Sequence, residues 1–182
     1  MPKLTLNILK NSILPAALLV VGKLLGLFIS INIYGLDMYI SNEIKGMYSI
    51  QIYSLDANQT LLANSFSNAF MLGLIFLVGM FFLIKYQLEV NAKSDPRTLV
   101  RLIQLNLYDI VTKSEIQFVK VFVWVAFMSV ASLIVLTSSI TATTYSFIGI
   151  IALALLIFVI WWLVKTFEQE IARMYPKDNL YT

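Results

Sequence analysis

Residues Ser12 to Leu36 read SILPAALLVVGKLLGLFISINIYGL. The run is longer than the about 20 mostly apolar residues that a helix needs to cross a hydrocarbon core. It holds a single charge, Lys23, near its middle. An ionisable group at that depth is costly and calls for a partner, a cavity or a way back to water. Ser12 predicts an N-cap, and Pro15 then falls in the first helical turn, where its missing N–H costs least. Tyr34 and Tyr39 predict aromatic anchors at the far interface.

Three further segments repeat the pattern at about 64–85, 116–137 and 146–164. The first has the centre FMLGLIFLVGMFFLI, and the last exits through Trp161 and Trp162. The connection over 37–63 is mildly polar and reads either as a short surface helix or as irregular chain. Asp56, followed three residues later by Gln59, predicts a helix start near Ala57. Beyond the last segment, KTFEQEIARM keeps helical spacing until Tyr175-Pro176.

The stretch over about 96–112 is helical in pattern but too polar to span. Asp95 caps it and Pro96 opens it. Leu99, Ile103, Leu107 and Ile110 share one stripe, while Arg97 and Arg101 lie largely off it. This is the pattern of an interfacial helix, apolar side toward acyl chains and the two arginines as candidate lipid-headgroup contacts. The expected fold class is therefore all-α: an integral membrane protein with four transmembrane helices plus a cytoplasmic interfacial amphipathic helix. It forms a single multi-pass domain over 1–182.

Composition agrees. Of the 182 residues, 59% are hydrophobic and 13% charged, against about 45–50% and about 25% in soluble domains. Lys3 and Lys10 precede an apolar run longer than the core of a signal peptide, so a retained first helix is expected. Of the 13 basic residues, Lys45 alone falls on the side of 37–63 and Lys23 within a span; the others share the side of the termini. By the positive-inside rule both termini and the loop carrying Arg97 are cytoplasmic. The plasma membrane is the expected location.

The chain contains no cysteine and no histidine, which removes disulfides, thiolate nucleophiles and most zinc sites. A serine nucleophile wants an adjacent base, and Glu89, Asp95, Asp109 and Glu115 follow capping and helix-surface patterns. No enzyme, no cofactor and no metal are expected. Nucleic-acid binding is not expected either, because the basic residues are interleaved with acids beside the membrane.

Two groups of residues are candidate sites. Gly22, Gly26 and Ser30 recur every four residues and form a small-residue ridge that admits a close helix neighbour. Lys23 flanks this ridge, and no acidic residue lies within any span. Its ammonium either leans toward the N-terminal interface, as helical side chains do, meets a carboxylate of another subunit, or binds an anionic group. The second group is a polar helix face of Thr60, Asn64 and Asn68, which Asn32 could join. It predicts interhelical hydrogen bonds or a polar vestibule. The leading functional expectation is a non-catalytic accessory or structural subunit of a membrane assembly, with lipids and other subunits or its own copies as partners. The alternative is a small transport or lipid-handling component that acts as an oligomer.

Overall fold

The computed structural model describes residues 3–36, 39–40, 52–53, 56–94, 97, 100, 103–104 and 117–174. Four long helices dominate: α1 (Lys3–Tyr34), α2 (Ala57–Ser94), α3 (Gln117–Ile140) and α4 (Ser146–Met174). Each contains a segment long and apolar enough to cross a membrane. At 1.5 Å per residue, α1 and α2 extend about 48 and 57 Å, well past a hydrocarbon core of about 30 Å. The helices therefore continue into the interfaces on either side of the apolar segments.

The start of α1 differs from expectation. Ser12 does not cap the helix, which already runs from Lys3 and carries Pro15 in its interior. The Ser12 hydroxyl instead donates back to the Ile8 carbonyl at 2.8 Å, a bond that exists only inside a helix. The nine residues Lys3–Asn11 before it are already helical, and the buried Pro15 ring is packed within the protein. The end of α1 is orthodox. Gly35 takes a left-handed φ of 59°, and the Leu36 N–H reaches the Ile31 carbonyl at 3.2 Å, closing the helix as a C-terminal glycine does.

The 37–63 connection contains an element that the sequence pattern did not announce. Two-residue strands β1 (Tyr39–Ile40) and β2 (Ile52–Tyr53) pair antiparallel, Tyr39 opposite Tyr53 and Ile40 opposite Ile52. The pair packs by β2 against α2. Helix α2 then starts at Ala57, with the Asn58 N–H donating to the Asp56 carboxylate at 3.1 Å. That is the expected cap.

Helices α1 and α2 form one hairpin and α3 and α4 another, and the two meet mainly through α2 and α3. Helix α1 also touches α3, whereas α4 touches α2 only sparingly. The core lies along the α2–α3 seam, where Met71, Ile75, Leu83, Trp124, Met128 and Val135 are almost wholly buried. Trp124 stacks on Phe82 at 5.0 Å between centroids. Gly79 lets α3 approach: a Cβ there would sit 2.5 Å from the Met128 sulfur.

The amphipathic helix expected over 96–112 falls largely outside the described residues. Within it Arg97, Val100, Ile103 and Gln104 are helical and exposed.

Candidate functional site

The ridge on α1 is seated on α2 of the same chain. A Cβ on Gly22 would lie 3.3 Å from the Met71 Cα, and one on Gly26 only 2.8 Å from the Ser67 Cα and 3.0 Å from the Phe70 Cβ. Ser30 is fully buried and donates to the Leu27 carbonyl at 2.8 Å. Gly22 and Gly26 thus serve the α1–α2 hairpin. Lys23 stands at the edge of this seam, half-buried. Its backbone carbonyl accepts the Ser67 hydroxyl at 2.7 Å across the helix pair, which fixes the residue's position along α2. No acidic residue occurs in any of the apolar segments around it.

The polar face of α2 divides. Asn64 and Asn68 are buried, while Thr60 is half-buried and its hydroxyl turns back to the Asp56 carbonyl at 3.3 Å. Asn32 stays apart from them: it is exposed and donates to the Phe28 carbonyl of its own helix at 2.9 Å. The partner of Asn68 comes from elsewhere. Its amide donates to the Thr144 hydroxyl at 2.7 Å, and one turn earlier the Ser65 hydroxyl accepts the Tyr145 N–H at 2.9 Å. The Asn68 Oδ1 is buried, and among the described residues no donor reaches it. Both bonds tie the α3–α4 turn to the start of α2. Ser65, Thr144 and Tyr145 were not among the residues that the sequence marks as a site. Ser65 lies beside Asn64 in a visibly polar helix start, but nothing local in the sequence joins it to a turn 80 residues away.

The turn itself is held by its hydroxyls. Thr143 donates through both its N–H and its side chain to the Ser138 carbonyl, at 3.0 and 2.9 Å. Ala142 takes a left-handed φ of 55°, and Gly149 packs directly on Ser139.

Beside this staple lies an apolar groove of about 460 Å³ between α2 and α4. Ala69, Leu72 and Gly73 line its α2 side and Ile148, Ile151 and Leu155 its α4 side. Tyr34, Phe66, Tyr145 and Phe147 gather at the end nearer the α3–α4 turn. Tyr34 meets Phe66 edge to face at 6.4 Å, and Tyr145 stacks on Phe147 at 5.9 Å. Among the described residues no charged side chain lines the groove. Its existence follows from the packing: α2 and α4 both lean on α3 and leave their own flank open.

At the other end of the bundle, lysines lie over aromatic rings. Lys120 sits 5.1 Å from the Phe82 ring centre and Lys165 4.2 Å from that of Trp161. Arg97 is exposed, and Arg101 lies outside the described residues. Among the described residues no three carboxylates gather where they could hold a metal ion.

Four helices long and apolar enough to span a membrane, with one hydrogen bond from α2 to α1 and another from α2 to the α3–α4 turn, point to a multi-pass membrane protein. Comparison with protein-family models, with curated proteins and with solved structures gives no match.

Proposed function

We propose that this chain is a non-catalytic accessory or structural subunit of a membrane assembly, with both termini in the cytoplasm and the plasma membrane as its site. The observation that carries this reading is Lys23. It stands half-buried near the middle of an apolar segment, beside a helix seam that is already closed. The apolar segments of its own chain offer no carboxylate. A carboxylate on a membrane helix of another subunit is the partner that offsets the cost of such a charge. The remaining polar side chains support the reading too. Ser67, Ser65, Asn68 and Thr144 are occupied in holding helices together, which is a structural employment. The uneven distribution of basic residues supports the orientation.

Purification in native nanodiscs with mass determination of the whole particle tests the proposal. The expected result is a particle heavier than one chain, lost on Lys23→Leu and retained with Lys23→Arg. A wild-type particle that contains one chain and no companion sinks it.

A further inference from the structure

We infer that the groove between α2 and α4 is a binding site for one acyl chain of a phospholipid in the leaflet on the side of the α3–α4 turn. The inference stands apart from the pairing of Lys23.

Three dimensions of the groove select this occupant. The first is length. Its α2 wall runs from Leu62 to Gly73, a rise of about 16 Å. One leaflet of a hydrocarbon core about 30 Å thick spans about 15 Å. The groove therefore begins at an interface and ends near the midplane. The second is extent. The space of about 460 Å³ is a furrow that stops near the midplane, whereas a second spanning helix would need a seat running the full thickness of the core; a single polymethylene chain needs only this half. The third is polarity along the groove. The deep end is lined by Leu72, Gly73, Ile151 and Leu155. The phenols of Tyr34 and Tyr145 stand only at the shallow end, where an aromatic belt meets ester and headgroup oxygens. An amphiphile with one polar end matches this order. Among the described residues the lining carries no charge, which favours a reader of the chain over a reader of headgroup charge.

Gly73 is the residue that keeps the groove open. A Cβ added there meets nothing within 4 Å, so its role is not a close helix approach like that of Gly22 or Gly26. A Cβ there has room, so a larger helix-favouring side chain is expected to extend into the groove.

The test uses the full chain in phosphatidylcholine nanodiscs that contain a trace of phosphatidylcholine bearing a photoactivatable diazirine at mid-chain. After irradiation the adducts are mapped by peptide mass spectrometry. The expected result is labelling concentrated on Ile151 and Leu155, well above Leu77, which is 74% exposed on the outside of α2. In Gly73→Leu this excess falls to the Leu77 level while helical content and monodispersity are unchanged; in Leu77→Ala it persists. Uniform labelling of groove and lipid-facing positions overturns the inference. So does an excess that survives Gly73→Leu, or protection of the groove from the probe, the sign of another protein seated on it. A matched phosphatidylglycerol probe is expected to label equally, and a strong preference for it also counts against a chain-reading site.

Discussion

The glycines of this chain differ in what they would lose. Gly26 faces backbone: a side chain there collides with the Ser67 Cα, which moves only if α2 moves. Gly26→Leu is expected to destabilise the α1–α2 hairpin by about 1–3 kcal/mol, the usual cost of overpacking, and to weaken the Ser67–Lys23 bond. Unfolding of the purified protein in detergent, followed by circular dichroism, measures it. Gly73→Ala faces open space and is expected to leave that curve unchanged or shift it to higher stability. Trp124 is 1% exposed and stacked on Phe82, so Trp124→Ala should cost about 3–5 kcal/mol in the same measurement. The ridge of Gly22, Gly26 and Ser30 was legible in the sequence because small residues at a spacing of four announce a face. Which helix covers that face was not legible, since a period names a side of a helix and not its neighbour. Asn32 was legible as polar but not as solitary: a back-bond to Phe28 satisfies it within its own turn.

At the scale of elements, the α3–α4 turn is the part whose chemistry was only half readable. SSITATT is plainly a hydroxyl-rich link, yet its bonds to α2 join residues 76 and 80 apart, beyond any local pattern. Thr144→Val leaves the buried Asn68 amide without its acceptor and is expected to cost about 1–3 kcal/mol. A double-mutant cycle of Asn68→Ala and Thr144→Ala should return a coupling of about 0.5–2 kcal/mol; additive single effects would show that the bond carries no coupling. Ala142 holds a left-handed φ that disfavours any residue with a Cβ. Ala142→Gly should therefore stabilise the protein by up to about 1 kcal/mol, visible as a higher midpoint of thermal unfolding in detergent. The four apolar helices were legible throughout, since each exceeds the length of a bilayer crossing. The N-cap at Ser12 misled because a serine hydroxyl can serve a helix end or bond back within a helix, and the residues before it decide which. The β1–β2 pair was hidden because two-residue strands carry no alternation to read.

For the molecule as a whole, the asymmetry of Lys and Arg sets the expected orientation. A reporter fused after Asp178 should be active or accessible only on the cytoplasmic side; protection on the outer side would overturn the assigned topology. Each hairpin closes on itself, and the contacts between hairpins run mainly through the α2–α3 core, with α1 also resting on α3, and through the bonds from Asn68 and Ser65 to the α3–α4 turn. Those bonds lie at the end of the bundle opposite the last turn of α2 and the first turn of α3. Biogenesis can then proceed in two instalments: α1–α2 inserts and seals along its glycine seam before α3 has left the ribosome, and the second hairpin docks onto a finished surface. Two separately translated fragments, 1–104 and 105–182, should accordingly find each other in the membrane and co-purify, and Asn68→Ala in the first fragment should weaken that reunion.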